Sequence, residues 1–163
     1  MNQNSYHFEY QVFASSEELS EEDELLIQEA RKAIEKSYAP YSNFKVGAAA
    51  LLSDGSIFSA ANQENASFPA GICAERALLA TISSLHKEAV ITKMAISYYN
   101  EKGSSNTPIT PCGICRQALA EYKHRFYKPI SLILGGMMGE VWVISDAEFL
   151  LPMSFSGKNL NSQ

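Results

Sequence analysis

The chain has 163 residues, of which 46% are hydrophobic and 19% are charged. That length fits one globular domain with a substantial core and is too short for two. The net charge of −5, with Lys and Arg residues scattered along the chain, argues against a nucleic-acid-binding surface.

The cysteine count and the absence of targeting signals bear on the compartment. Three cysteines cannot all pair, which favours a reducing environment. The first ten residues carry neither a basic start nor an apolar run, and no stretch approaches the length of a membrane span. We therefore expect a cytoplasmic protein without membrane association.

The N-terminal part predicts a short strand followed by a helix. Residues 6–13 alternate aromatic or apolar with polar residues, which is typical of an added edge strand. Ser20 is expected to cap a helix, because four acidic residues follow it and an apolar stripe continues to Ile34. This helix should end before Ala39-Pro40.

Strands and helices alternate through the rest of the chain, which predicts a mixed sheet with helices on both faces. A hairpin is expected at Asp54-Gly55, and Ser145 to Glu148 has the pattern of a capping box for a short helix. The other predicted elements are strands at 44–53, 56–61, 93–99, 129–134 and 141–144, and helices at 73–86 and 112–125.

All three cysteines lie in two short motifs. Cys73 follows Gly71 and precedes an Ala/Leu-rich run, while Cys112 follows Pro111 and precedes a helix-forming run that includes Cys115. Both groups are therefore predicted to lie at helix N-termini, where the helix dipole and free N–H groups favour thiolates. Three thiolates occupy three corners of a Zn²⁺ tetrahedron and leave the fourth open, as a catalytic zinc site requires.

Glu75 is too close in sequence to Cys73 to serve as a fourth ligand, and we interpret it as the proton carrier beside a zinc-bound water. A redox disulfide between Cys112 and Cys115 would leave Cys73 and Glu75 unexplained. A structural zinc ion would need a fourth protein ligand, but no histidine lies in a motif. The three histidines are His7, His86 and His124.

The Cys73-Ala74-Glu75 motif, followed by Pro111-Cys112 and Cys115, resembles the signature of the zinc-dependent cytidine deaminases. The three-cysteine form resembles the small homotetrameric enzymes that act on free nucleosides. Further matching stretches are residues 39–48, 62–69 and 150–155. The resemblance implies an α/β fold, a three-layer α/β/α sandwich around a mixed five-stranded sheet. It also makes residues 1–20 an N-terminal extension and residues 21–163 the catalytic domain.

The same resemblance implies a reaction and a set of site residues. It implies hydrolytic deamination of cytidine and deoxycytidine in pyrimidine salvage, with one Zn²⁺ per chain held by the three cysteines. It assigns Asn62 and Glu64 to the ribose hydroxyls, and Phe44 and the backbone of Ala74 to the base. It also implies that Arg76 donates hydrogen bonds to the thiolates.

The family pattern places Phe155 of one subunit over the pyrimidine of a neighbour, so that sites are shared within a homotetramer. Arg116, which directly follows Cys115, is interpreted mainly as an exposed helix arginine. Two positions depart from the family pattern: Phe68 stands where many relatives carry Tyr, and Gln63 replaces an aliphatic residue. These departures bear on affinity rather than on the chemistry.

Two other functions stay open. A deaminase of another aminopyrimidine nucleoside, such as blasticidin S, would use the same zinc site, although the Asn62 and Glu64 ribose pair argues against it. A non-catalytic zinc module that binds a partner protein would have no need of Glu75 beside the metal. Turnover of cytidine separates these functions.

Overall fold

The computed structural model describes residues 1–157 and 160 and shows a sheet flanked by helices. The strands are β1 (Gln11–Phe13), β2 (Phe44–Leu52), β3 (Ile57–Ala61), β4 (Ile91–Asn100), β5 (Ser131–Gly135) and β6 (Val141–Ile144). The helices are α1 (Glu21–Ala33), α2 (Ala74–Leu85) and α3 (Gly113–Phe126), with 3₁₀ turns at Ser16–Glu18, Ile34–Lys36, Phe68–Ala70 and Ala147–Leu150. Residues 158, 159 and 161–163 of the predicted catalytic domain lie outside the described residues.

The sheet is mixed, as predicted, but in the described residues it has six strands rather than five. Its order is β1-β6-β5-β4-β2-β3, and β4 and β5 form the parallel pair. The additional strand is β1, which pairs antiparallel with β6 so that Gln11 lies opposite Val143. The predicted edge strand at residues 6–13 is thus confirmed, although only its last three residues pair with the sheet.

Helices cover both faces of the sheet, which confirms the three-layer sandwich. The β2 strand alternates its alanines between two cores because successive side chains point to opposite faces. Ala48 and Ala50 pack in the core that contains α2 and α3 residues, whereas Ala49 packs in the core that contains α1 residues. Gly47 permits the close approach of α1, since a Cβ atom there would lie 2.1 Å from the Ala30 carbonyl oxygen.

The strand directions bring the starts of α2 and α3 to the same end of the sheet, the end at which β3 and β4 terminate. Both β3 and β4 run antiparallel to β2, so β3 and β4 run in the same direction. The α2 helix follows β3 and the α3 helix follows β4, each after one connecting loop. The two helix N-termini that carry the cysteines therefore meet, although they are far apart in sequence.

Capping side chains fix two of the helical elements. The Ser20 hydroxyl accepts a hydrogen bond from the Asp23 backbone N–H, as predicted. The predicted capping box at Ser145 is wrong, because Asp146 caps the 3₁₀ turn through the Glu148 backbone N–H. Asp146 rather than Ser145 caps this tight turn because its carboxylate reaches the backbone N–H two residues ahead.

The aromatic residues before β1 form a cover, here called the aromatic strap (Tyr6, Phe8 and Tyr10). The Tyr10 ring lies 5.3 Å from the Trp142 ring, and the Phe8 ring lies 6.0 Å from the Phe149 ring. The Tyr6 hydroxyl donates to the Phe149 carbonyl at 3.1 Å. The strap thus attaches the N-terminal segment to β6 and to the 3₁₀ turn that follows it.

No helix in residues 1–157 combines the length and the apolar character that crossing a bilayer requires.

Candidate active site

Three cysteine sulfurs form a cluster where α2 and α3 begin. Cys73 and Cys112 are the N-cap residues of the two helices, and Cys115 lies in the first turn of α3. The Sγ atoms of Cys73 and Cys112 are 3.8 Å apart, and those of Cys112 and Cys115 are 3.4 Å apart. All three lie within 4.8 Å of one another, so the structure brings the predicted ligands together.

The cluster fits one zinc ion per chain. A tetrahedral site with Zn–S bonds of about 2.3 Å separates its sulfurs by about 3.8 Å, close to the distances found here. Hydrogen bonding with Cys115 lowers the pKa of Cys73 to about 6 and raises the pKa of Cys115. Without a cation, three adjacent sulfurs cannot all carry charge, so a full set of thiolates calls for a bound metal ion.

Glu75 lies beside the sulfur cluster but is not part of it. It belongs to the first turn of α2, and only 5% of its surface is exposed. Burial raises the pKa of its carboxyl group above the ordinary value for glutamate. A buried carboxyl with a raised pKa binds a proton more readily than an exposed one, which suits it to a role in proton transfer.

A cleft of about 440 Å³ opens in front of these groups. Its walls come from β2, from the loop between β3 and α2, from the start of α2 and from the loop before α3. Its lining includes Val46, Asn62, Gln63, Glu64, Phe68, Cys73, Ala74, Glu75, Ile109, Thr110 and Cys112. Six of the predicted site residues are neither cysteines nor Arg76. Asn62, Glu64, Ala74 and Glu75 line this cleft, whereas Phe44 and Phe155 do not.

Asn62 and Glu64 occupy the cleft wall in different ways. The Asn62 amide oxygen accepts from the Ser37 hydroxyl at 2.5 Å and from the Val46 N–H at 2.8 Å, and its nitrogen donates to the Phe44 carbonyl at 3.0 Å. One Glu64 oxygen accepts from the N–H groups of residues 41 and 42 at 2.9 and 3.3 Å. Hydrogen bonding, led by that with Ser42, lowers the pKa of Glu64, which favours a carboxylate.

The two predicted base-stacking rings lie outside the cleft lining. The Phe44 ring stacks on the Tyr98 ring at 4.9 Å and an interplanar angle of 14°. It shares its side of β2 with Val46, which does line the cleft. Phe155 has 58% of its surface exposed, and its carbonyl accepts from the Gln117 side chain at 2.9 Å.

The two arginines of the motifs differ from each other. Arg76 is half-buried, and its charge helps to lower the pKa of Cys73 after the contribution of the neighbouring thiols. It donates no hydrogen bond to the sulfurs, so the predicted donation is not seen within residues 1–157. Arg116 is not an exposed helix arginine, because its guanidinium bonds to Pro111, Thr110 and Leu150. That prediction is wrong, since the bond to Leu150 joins residues 34 positions apart, which only the folded chain brings together.

Phe68 and Gln63, the two residues that depart from the family pattern, also line the cleft. The Phe68 ring is 74% exposed and meets the Tyr41 ring edge-on at 5.9 Å. The Gln63 side chain donates to the Lys36 carbonyl at 2.9 Å, and its backbone pairs with that of Ile72. Gln63 therefore joins the cleft wall to the chain after α1.

Residues 20–128 match the sequence model of the cytidine and deoxycytidylate deaminase zinc-binding region. The match covers more than half of the chain and includes the three sulfur ligands and Glu75. The chain belongs to this deaminase family. This confirms the resemblance to the zinc-dependent cytidine deaminases that the cysteine motifs indicated.

Individual relatives agree with this assignment. A cytidine deaminase of Halalkalibacterium halodurans is 38% identical over 138 residues, which span 85% of this chain and 97% of the relative. A cytidine deaminase of Sporosarcina psychrophila is 35% identical over 85% of this chain and 94% of its own length. The crystal structure of cytidine deaminase from Burkholderia pseudomallei superimposes with a TM-score of 0.70 at 39% identity, covering 80% of this chain and 97% of that one.

Proposed function

We propose that this deaminase hydrolyses cytidine and deoxycytidine to uridine and deoxyuridine with release of ammonia. The observation that carries the proposal is the buried Glu75 carboxyl, which lines a cleft of nucleoside size together with sulfur ligands. The relatives named cytidine deaminase support the substrate class.

Glu75 moves the protons of this reaction. Cys73, Cys112 and Cys115 would hold the zinc ion, which would lower the pKa of a coordinated water and so would supply the nucleophile near neutral pH. Ionised Glu75 accepts a proton from the attacking water and delivers one to the ring nitrogen N3 of the base. After the water oxygen has bonded to C4, Glu75 takes the proton of the new hydroxyl and passes it to the amino group. The C4–N bond then breaks, ammonia leaves and the C4 carbonyl of uridine forms. Burial raises the pKa of the Glu75 carboxyl, which makes Glu75 a stronger base than an ordinary exposed glutamate.

The ribose is assigned to the opposite wall of the cleft. The Glu64 carboxylate accepts from a sugar hydroxyl, forming a charge-assisted hydrogen bond. Asn62 keeps one N–H of its amide for the ribose, because its oxygen and its other N–H are engaged within the protein. The Asn62 side chain therefore both stabilises the wall of the cleft and binds the substrate.

The base is assigned to the region between the sulfur cluster and β2. The backbone of Ala74, which begins α2, contacts the edge of the ring. Phe44 then reaches the pyrimidine by leaving its stack with Tyr98, or binds it at the edge of that stack. These contacts follow the family resemblance, and the position of Ala74 in the cleft lining supports them.

The enzyme is further proposed to work as a homotetramer in the cytoplasm, where its thiols stay reduced for zinc. The large apolar side chains that are exposed in the single chain include Phe68 at 74%, Ile114 at 64% and Phe155 at 58%. Covering them with further subunits would remove this apolar surface from water. Phe155 would then lie over the base in a neighbouring subunit.

A turnover assay tests the proposed chemistry. Loss of cytidine absorbance should accompany the formation of uridine, in proportion to the zinc content per chain. Blasticidin S serves as the competing substrate. Turnover of blasticidin S alone would favour the alternative deaminase, and zinc binding without turnover of either compound would favour the non-catalytic module.

Mixing two inactive or weakened variants tests the shared site. Phe155→Ala should raise KM about 5- to 100-fold, because stacking on a base contributes about 1–3 kcal/mol. Mixing Glu75→Gln chains with Phe155→Ala chains should restore sites that pair an intact Glu75 with a neighbour's intact Phe155. A fully active monomer, or a mixture that exchanges subunits without recovery, would refute the shared site.

A further inference from the structure

Arg116 bonds to three separate parts of the chain. Its Nε donates to the Pro111 carbonyl at 2.8 Å, its Nη2 to the Thr110 hydroxyl at 3.0 Å and its Nη1 to the Leu150 carbonyl at 3.0 Å. Each guanidinium nitrogen therefore has a partner. The planar fork of arginine makes such contacts in fixed directions, which an ammonium group cannot do.

The bonds of Arg116 connect the chain segments that carry two of the zinc ligands. Its backbone directly follows the ligand Cys115, whereas two of its bonds end on the residues directly before the ligand Cys112. The segment between β4 and α3 is long and largely without regular structure. Arg116 thus fixes the last residues of that segment against the helix that carries the other ligand.

The neighbouring residue of α3 extends the connection. Gln117 donates to the Phe155 carbonyl at 2.9 Å, while Arg116 holds the Leu150 carbonyl. Two consecutive side chains of the zinc-bearing helix therefore hold both ends of residues 150–155. This segment contains no helix or strand of its own after Leu150.

We propose that Arg116 is a positioning residue for the zinc site, which holds Cys112 in ligand geometry and joins it to the segment that ends at Phe155. Zinc binding and the order of residues 151–155 are then coupled, and each stabilises the other. The inference rests on the zinc site of the proposed enzyme but not on its substrate. A protein that binds zinc without deaminating cytidine would leave it intact.

A purely electrostatic effect is the competing explanation. A positive charge near three thiolates would strengthen them as ligands whatever its geometry. Lysine would then replace arginine without loss. The positioning role requires instead that Arg116→Lys fails, because one ammonium cannot reach all three acceptors.

Metal affinity is the direct measurement. Zinc affinity is determined by competition with a chromophoric chelator, and the visible spectrum of the cobalt-loaded protein reports the thiolate geometry. Arg116→Gln and Arg116→Lys should each weaken zinc binding about 10- to 100-fold, as loss of a residue that orients metal ligands typically does. Arg125→Gln is the matched control, since it removes one charge from the same helix and, among the described residues, its guanidinium contacts the Lys87 carbonyl and the Phe126 ring rather than the zinc site.

Hydrogen exchange measures the coupling to the C-terminal segment. Amide exchange in residues 151–157 should slow when zinc is added to the wild type and should stay fast in Arg116→Gln. Thr110→Val removes one of the three bonds without altering α3, and it should give a smaller loss of affinity and keep the test open if Arg116→Gln does not fold. Full affinity in Arg116→Lys, or unchanged affinity and exchange in Arg116→Gln, would overturn the proposal.

Discussion

At the scale of single residues, Glu75 separates metal binding from chemistry. Glu75→Gln should keep full zinc content because Glu75 is not one of the clustered ligands. Its kcat should fall about 10²- to 10⁴-fold, since the amide cannot take up the proton. Zinc analysis and steady-state kinetics measure both effects, and Glu121→Gln on α3 is the exposed control. Retention of more than about a tenth of wild-type kcat would exclude Glu75 from the proposed role.

Asn62 and Glu64 should respond differently to substitution, although both face the cleft. Asn62→Ala leaves the Val46 N–H and the Phe44 carbonyl without their partner. It should lower the free energy of unfolding by about 1–3 kcal/mol in addition to raising KM, because buried polar groups lose their hydrogen bonds. Glu64→Gln should raise KM with little change in stability. Urea unfolding and kinetics on both variants test this, and equal stability of the two would contradict it.

The residue-scale predictions from sequence succeeded where the determinant was local. The cysteines of the zinc site are recognisable because each helix start is marked by Gly71 or Pro111 a residue or two before its first cysteine. Arg116 escaped recognition because its bond to Leu150 joins residues that are distant in sequence. Asn62 was predicted as a ribose ligand, but its bonds to Ser37 and Val46 were not foreseen for the same reason, since these partners lie after α1 and on β2.

At the scale of elements, the aromatic strap should stabilise the end of the sheet. Tyr10→Ala removes the ring contact with Trp142 and should lower the free energy of unfolding by about 0.5–1.5 kcal/mol beyond the lost burial. Turnover should change little because the strap does not line the cleft. Thermal and urea unfolding measure the effect, with Glu9→Ala in the same exposed segment as the control. Equal stability of the two variants would show that the strap is not held by its rings.

The contact between α3 and the last 3₁₀ turn should make stability depend on pH. Hydrogen bonding and charge from Lys123, with a further bond from His124, lower the pKa of Glu148. Asp146 also faces Lys123, at 2.6 Å. A carboxyl whose folded pKa is depressed stabilises the fold above its unfolded pKa of about 4.3 and loses this effect as pH falls through the folded value.

The matching measurement compares wild type with Glu148→Gln at several pH values. The wild type should be more stable near neutral pH, and the difference should shrink as the solution becomes more acidic than about pH 4. Urea unfolding provides the free energies. A difference that stays constant with pH would mean that the charge of Glu148 is not what stabilises this contact.

The elements themselves follow closely from pattern, and their deviations have physical causes. The alternation of residues 6–13 correctly predicts an edge strand, but the rings of the strap pack on Trp142 and Phe149 instead of extending the ladder. This contact between segments at opposite ends of the fold is invisible to a local pattern. The five-stranded sheet was what the family resemblance implied, and β1, which lies outside that resemblance, adds the sixth strand.

At the scale of the whole molecule, zinc should contribute measurably to stability because it connects α2 and α3. A ligand present at about a thousand times its Kd stabilises the folded state by about 4 kcal/mol. For a chain of this size, that corresponds to a Tm shift of about 8–16 °C. Differential scanning calorimetry before and after chelation measures it, and Zn²⁺ should restore the Tm whereas Mg²⁺, which prefers oxygen ligands, should not. An unchanged Tm after complete zinc removal would contradict the connection.

The pairing of β1 with β6 has a consequence for synthesis on the ribosome. Gln11 and Val143 are roughly 130 residues apart, and contacts of such separation form late because a large loop must close first. The hairpin of β2 and β3 can assemble early, whereas β1 must wait until β6 has left the exit tunnel. During that interval the rings of Tyr6, Phe8 and Tyr10 lack their packing partners Trp142 and Phe149 and stay exposed to water. Nascent chains stalled before β6 should therefore bind chaperones more strongly than chains stalled after β6.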